Sequence, residues 1–290
     1  MEVNLIMEKW DLYTRYREKT GEEYIRQPEC MIPQGRYHLV VHVWIKNTEG
    51  KYLISQRSAN RPTYPLKWEC VGGSVIAGET SIEGALRETF EEVGVQLDLS
   101  KGKVLFSKIR NDYDGKKFRD IVDVWLFEYD GEVDLSKAST DEVADVKWMT
   151  GQEIKKLYDN GDFVETLDYF FCAVGAVTPD YSDIIGKEVS GIIDRPLGSA
   201  HPRHPDMIYP INYGYVDGVF AGDGSEQDVY VFGTDQPLQT YTGKVVAVYH
   251  RFDDVEDKWI VSLNGEDISD DKILGEISFQ EQFFYGKICR

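Results

Sequence analysis

The stretch ECVGGSVIAGETSIEGALRETFEEVGV, residues 69–95, sets Glu88, Glu91 and Glu92 just after Gly72, Gly73 and Gly78 and just before Gly94. On a helix Glu88 and Glu92 stand four positions apart and Glu91 three from the first, so their carboxylates project from one side. Like charges so spaced repel by about a few tenths of a kcal/mol per pair, and a bound cation relieves that repulsion. Oxygen donors with no His or Cys among them select Mg2+ or Mn2+. The glycines ahead of the helix let the backbone come close to the ion or its ligand. A solvated acidic face is the commoner origin of any one charge cluster, but it does not account for this many specified residues across a loop-to-helix transition.

The elements that must position these groups are legible on either side. HLVVHVWIK (38–46) and KYLISQR (51–57), separated by NTEG, read as a β-hairpin. From Ser81 to Val93 the period changes: Ile82, Ala85, Leu86, Phe90 and Val93 recur at helical spacing as one apolar stripe. Thr80 with Glu83 forms a capping box and Gly94 a C-terminal stop. KVLFSKIR and FRDIVDVWLFEYD predict further strands, and TGQEIKKLYDNGDF a second helix with its own Thr150–Glu153 capping box. The apolar run FFCAVGAV ends at Thr178 and Pro179. From Ile184 strands such as VYVFG and KVVAVYHRF alternate with Gly, Pro and Asp-rich turns, and little helix is visible until DDKILGEISFQEQFF. The expected organisation is a domain over 1–175, a linker over 176–183 and a different domain over 184–290, with no internal repeat.

A length of 290 residues agrees with two cores, and 42% hydrophobic with 13% aromatic residues argues against long disorder. The net charge of −19 excludes nucleic acid as the expected partner, since that affinity rests on clustered Lys and Arg. Small phosphorylated substrates escape the objection when a divalent cation inverts the local field. The opening MEVNLIMEKWDLY lacks the pattern of a secretion leader and no apolar run reaches membrane-spanning length, so a soluble cytoplasmic chain without a membrane partner is expected. Cys30, Cys70, Cys172 and Cys289 are scattered without a CxxC pair and read as reduced, structural thiols. A homodimer is the default assembly.

Gly73, Glu79, Arg87, Glu88, Glu91, Glu92, Gly94 and Val95 together resemble the Nudix box, in which a glycine and a glutamate six on precede R-E-x-x-E-E-x-G and an aliphatic residue. Thr89 departs from it, standing where the family usually has a bulkier aliphatic. The resemblance implies Mg2+-dependent hydrolysis of a diphosphate linked to another moiety. Glu88, Glu91 and Glu92 would hold the metal with the Gly73 carbonyl, and Arg87 would pair with Glu79 or Glu91 to fix the loop on the helix. Glu91 is one candidate base; Glu142, in STDEVADVKWMT, lies where relatives often carry a distant catalytic glutamate. The wider stretch MEKWDLYTRYREKTGEEYIRQ with GRYHLVVHVWI is similar to the isopentenyl-diphosphate isomerase branch of the same superfamily. That branch uses a cysteine in a CGHP-like stretch, whose aligned position here is Gly72; Cys70 sits two residues earlier, aimed elsewhere, so hydrolase is preferred. His38 and His42 read as satisfied sheet histidines rather than metal ligands. A ligand sensor without catalysis is a third reading, disfavoured because the glutamates are retained.

Nearly all of 184–290 resembles a soluble family I inorganic pyrophosphatase, on YPINYGY, the aspartates of DGSEQD and the DDVEDK run. The resemblance implies that Asp223 and Asp228, with Asp253 or Asp254 and with Asp257, would be magnesium ligands, and that Tyr213 and Lys258 would face phosphate. Ser225 stands where that family has a third aspartate, and the basic and acidic pair expected after DRPLGS has no clear match; His201 and His204 occupy its neighbourhood and read as a polar loop. An active pyrophosphatase, a phosphate-binding relic and a dimerisation module are the alternatives. The expected fold is α+β: a Nudix α/β/α sandwich with a mixed sheet, followed by a small pyrophosphatase-like (OB-type) β-barrel.

Overall fold

The computed structural model describes residues 8–27, 32–112, 118–174 and 179–290. Cys30 and the start of the expected 176–183 linker lie outside them. The chain divides into two compact units, Met1–Thr14 with Glu18–Val174, and Arg15–Arg17 with Gly175–Arg290. No helix among the described residues is long and apolar enough to cross a membrane.

The first unit is built on a seven-stranded mixed sheet. Strands β1 (Lys9–Tyr13) and β2 (Lys19–Ile25) form a separate antiparallel pair. The sheet proper comprises β3 (His38–Lys46), β4 (Tyr52–Arg57), β5 (Trp68–Glu69), β6 (Val71–Ser74), β7 (Gly102–Arg110), β8 (Asp120–Glu128) and β9 (Val143–Met149). Its path is β5-β4-β3-β8-β7, with β6 antiparallel to β3 and β9 to β4. β3 and β8 pair in parallel along their whole length, from His38 opposite Asp120 to Lys46 opposite Glu128. A parallel pair requires a long crossover, and the acidic helix lies inside it. The near-continuous apolar character of HLVVHVWIK follows, because a central strand is covered on both faces.

Helix α1 spans Ser81–Val93 and α2 spans Gly151–Asp159, each opened by the capping box its sequence predicts. Thr80 N donates to Glu83 Oε2 at 2.8 Å while the Thr80 hydroxyl accepts from Glu83 N. Thr80→Ala is expected to cost roughly 1 kcal/mol, read as a lower urea midpoint for the first unit. Gly94 ends α1 at φ 68°, and a Cβ there would stand 2.7 Å from the Asp134 carbonyl oxygen, so both backbone and space require glycine. The buried face of α1 differs from the predicted stripe. Phe90 is 37% exposed, whereas Gly84, Thr89 and Glu92 are buried with Ala85 and Val93. Thr89 satisfies its hydroxyl by donating to the Ala85 carbonyl at 2.7 Å. Glu92 therefore faces inward, which an apolar-stripe argument does not foresee. Val41, Val43, Leu53, Val71, Ala85, Val93 and Phe127 belong to the core beneath it.

The second unit is a closed barrel. Strands β10 (Glu188–Arg195), β13 (Asn212–Phe220), β14 (Glu226–Phe232), β16 (Lys258–Ser262) and β15 (Thr240–Arg251) pair in that order, and β15 returns to β10. A short hairpin, β11 (Ala200–His201) with β12 (His204–Ile208), and strand β17 (Gly286–Cys289) on β15 complete it. After the short α3 (Phe170–Ala173) of the first unit, the next helix in chain order, α4 (Asp270–Glu281), places Ile273 and Ile277 against Tyr209, Tyr230 and Ile260. One element of this unit is tied by a buried ion pair: Arg251 Nε and Nη2 each lie 2.8 Å from the Glu281 carboxylate.

Candidate active site

The glycine bend and α1 meet closely at one place. Gly73 lies on β6 opposite Val41 of β3, and a Cβ built on it would stand 2.3 Å from the Glu88 carboxylate. Only a residue without a side chain lets that carboxylate lie against the strand. Arg87 ties the bend to the helix. Its guanidinium donates to both Glu79 oxygens (2.8 and 3.0 Å), to the Ser74 carbonyl (2.9 Å), to Glu88 Oε1 (3.0 Å) and to Glu91 Oε2 (2.9 Å).

Glu92 is 6% exposed, and its nearest donor is the Gly72 amide at 3.4 Å. Burial first, then the negative fields of Glu69, Glu88 and Glu142, hold its carboxyl well above the usual range. Burial likewise pushes Glu88 up to about 7, against the pull of Arg87. Glu142, ahead of β9, is paired with Arg61. Glu69 is paired with Arg57 and is raised by burial. Glu69, Arg57 and Arg61 escaped the sequence argument; Arg57 ends β4, Glu69 ends β5 and Arg61 lies in the polar stretch between those strands, just ahead of the box.

Glu69, Glu79, Glu88, Glu91, Glu92 and Glu142 thus face Arg57, Arg61 and Arg87, which leaves a local excess of carboxylates. Among the described residues no three His, Cys, Asp or Glu side chains converge as an ion-holding group. Arg87 draws Glu88 and Glu91 to itself while Glu92 turns to Gly72. The donor set itself fits a hard divalent ion: it is all oxygen, it carries excess negative charge, and Gly73 leaves room for backbone approach.

A cavity of about 120 Å3 adjoins the cluster, lined by His42, Glu69, Cys70, Gly72, Gly73 and Thr166 among others. His42 Nδ1 lies 2.8 Å from the Tyr169 hydroxyl, which also accepts from Trp44 Nε1 at 3.1 Å. His38 stacks on Trp10 with ring centroids 4.1 Å apart. Burial lowers the pKa of His42 to about 3. The unfolded side chain titrates near its ordinary value, so the unfolded state binds the proton first and stability falls as pH drops below about 6.5. Between about pH 6 and pH 5, wild type is expected to lose about 1.2 kcal/mol relative to His42→Asn, measured by urea titration at each pH. Burial raises the Cys70 thiol well above its ordinary range, which keeps it protonated, and Cys289 is buried in the barrel.

In the second unit Lys258 Nζ lies 2.6 Å from both Asp228 and Glu256, and the Tyr213 hydroxyl donates to Asp228. The remaining aspartates singled out from the sequence are engaged separately. Asp257 accepts from the Arg251 amide at 3.1 Å and lies against His250 and Tyr181; Asp254 pairs with Arg251 at 2.7 Å. Asp253 accepts from the Tyr285 amide, and Asp223 accepts from the Ser225 amide at 2.8 Å. Tyr213, Lys258 and Asp228 are thus brought together, while Asp223, Asp254 and Asp257 do not join them at one centre.

Residues 36–169 match the NUDIX domain family and fall within the first unit. An uncharacterized Nudix hydrolase of Listeria monocytogenes is 36% identical over 167 residues, 57% of this chain and 91% of that protein. A nucleoside triphosphatase of Salmonella agona is 31% identical over 129 residues, covering 43% of this chain and 89% of that protein. An isopentenyl-diphosphate isomerase of Salmonella heidelberg is 26% identical over 121 residues, 41% of this chain and 65% of that protein, a weaker likeness. With nine-tenths of a Listeria relative spanned at that identity, the chain belongs to the Nudix hydrolase family.

Proposed function

We propose that the first unit hydrolyses a nucleoside-diphosphate-linked or similar organic diphosphate with Mg2+ or Mn2+. The observation that carries this reading is the Glu88 carboxylate seated against Gly73 within a cluster holding more carboxylates than guanidiniums. Glu88, Glu91, Glu92 and the Gly73 carbonyl would hold the metal. Bound there, a divalent ion supplies charge neutralisation to the phosphate oxygens. Arg87 and Glu79 keep the bend on the helix, so the donors hold one geometry. Glu91 takes the proton of the attacking water, or Glu142 does so on release from Arg61. The nucleoside triphosphatase likeness makes nucleotides the first substrates to try.

A panel of nucleoside, sugar and prenyl diphosphates, incubated with the full chain and Mg2+ and again with EDTA, tests this through phosphate release and product chromatography. An absence of metal-dependent cleavage across the panel would sink it. Cys70 at the cavity wall and the isomerase likeness favour a second reading, isomerisation of an alkenyl diphosphate. That reading gives a rearranged diphosphate with no phosphate released.

For the second unit we propose a pyrophosphatase-like barrel that takes a phosphate ligand, on the meeting of Tyr213, Lys258 and Asp228 in a closed barrel. Inorganic pyrophosphate with Mg2+, followed by orthophosphate release, separates a catalytic barrel from one that only binds. We also propose domains over 1–175 and 184–290 joined by 176–183, and a cytoplasmic homodimer. Limited proteolysis and light scattering check the domains and the dimer.

A further inference from the structure

Four cationic or potentially cationic side chains, Arg195, His201, Arg203 and His204, cluster on the second unit of an otherwise acidic chain. His201 and His204 face each other across the β11–β12 hairpin with rings 5.0 Å apart, and Arg203 stands between them. His201 stacks on Tyr209 at 6.1 Å, Tyr209 lies 5.5 Å from Tyr213, and the Arg195 guanidinium lies 5.7 Å from the Tyr213 ring. Lys258 stands 5.9 Å from that same ring, which makes one continuous ledge.

Two donors on this ledge are unspent. Arg195 Nε and Ser199 Oγ are buried and have no hydrogen-bond partner in the structure. Buried donors are rarely left unpaired, so each is a ready contact for a ligand oxygen. A third donor follows from the tautomer. The Arg203 amide donates to His201 Nδ1 at 3.2 Å, so the neutral ring carries its proton on Nε2, the nitrogen turned away from the backbone. Asp194 takes only Arg195 Nη1, which leaves the other edge of the fork free for an oxyanion. The ordinary His201 pKa is lowered by burial and by the charges of His204, Arg195 and Arg203, a repulsion that a bound anion relieves.

We propose that Arg195, Ser199, His201, Arg203 and His204 form a binding site for a phosphate-type oxyanion. The site deepens the phosphate-ligand reading of the second unit and rests on it. The hairpin lies where the pyrophosphatase resemblance leaves its expected basic and acidic pair without a clear match.

The full chain, kept in EDTA so that no cation-bridged phosphate forms on α1, is titrated with orthophosphate and separately with pyrophosphate. Histidine ring resonances are followed, and there are only 5 histidines to assign. The His201 and His204 signals are expected to move saturably while those of His38 and His42 stay fixed, and the tighter ligand identifies the source of the phosphoryl group. By calorimetry, His201→Gln/His204→Gln should weaken binding by roughly tenfold with an unchanged melting temperature. Ser199→Ala, which removes only an unspent hydroxyl, should weaken it less. Full affinity in the double histidine variant overturns the hairpin site and leaves the phosphate-ligand reading standing. No binding of either anion by wild type in EDTA overturns the hairpin site, while the phosphate-ligand reading falls only if pyrophosphate with Mg2+ is also neither bound nor cleaved.

Discussion

Glu92→Gln is expected to lower metal-dependent phosphate release by roughly a hundredfold or more, because a ligand that neutralises phosphate oxygens is worth several kcal/mol in the transition state. The same substitution is expected to raise stability. Glu92 is buried on the inner face of α1 with its carboxyl held well above the usual range, so its ionised form is disfavoured in the folded chain. For a group whose folded pKa is raised, stability is full below the unfolded pKa and is lost as pH climbs toward the folded one. Glutamine keeps the shape and cannot ionise. Urea unfolding in EDTA should therefore show the variant gaining on wild type as pH rises from about 4.5. Activity and stability moving in opposite directions is the mark of a group kept for chemistry rather than for packing. Retained turnover in the variant would remove Glu92 from the metal site.

Glu281→Ala is expected to destabilise the second unit by about 3–5 kcal/mol, since it strands a buried guanidinium. Arg251 and Glu281 are 3% and 2% exposed, and two parallel bonds of 2.8 Å join them. The Tyr230 hydroxyl donates to the same carboxylate at 2.6 Å, and Phe284 covers the guanidinium at 3.6 Å. Loss of the carboxylate leaves Arg251 only Asp254 and deprives Tyr230 of its acceptor. Replacing the pair together, Arg251→Met with Glu281→Leu, should cost clearly less than the single change, because no charge is then left buried alone. Equal losses in the two variants would show that packing, not the ion pair, holds α4. The comparison is read from chemical denaturation followed by tryptophan fluorescence.

How much was legible in the sequence depended on the range of the forces involved. Both capping boxes, the span of α1 and the stop at Gly94 are local, set by residues within a turn of one another, and they were readable. The parallel pairing of β3 with β8 joins residues far apart in the chain and left no mark on either strand beyond a high apolar content interrupted by His38, His42, Asp120 and Asp123. At the site, spacing gave the glutamates but not their partners. Arg87 bonds Glu79, Glu88 and Glu91 together, and Glu69 and Arg57 arrive from β5 and β4, which no spacing rule connects. In the barrel the pyrophosphatase resemblance implies one set of aspartate ligands, whereas Asp254 and Asp257, three residues apart, are held by Arg251 and by His250 with Tyr181. Carboxylates in turns follow whichever cation or hydroxyl the fold brings near.

The return of β15 to β10 decides how copies of this chain can associate. Residues 240–244 of β15 are taken by β10 and residues 248–251 by β17, while β16 holds the other side over residues 244–249. A strand occupied along both flanks offers no template for a foreign backbone. Among the described residues of the barrel path, only the outer flank of four-residue β17 stays open to annexation. Away from that short flank, a self-assembly built on this unit is held by side chains, and strand addition along residues 244–249 of β15 is closed.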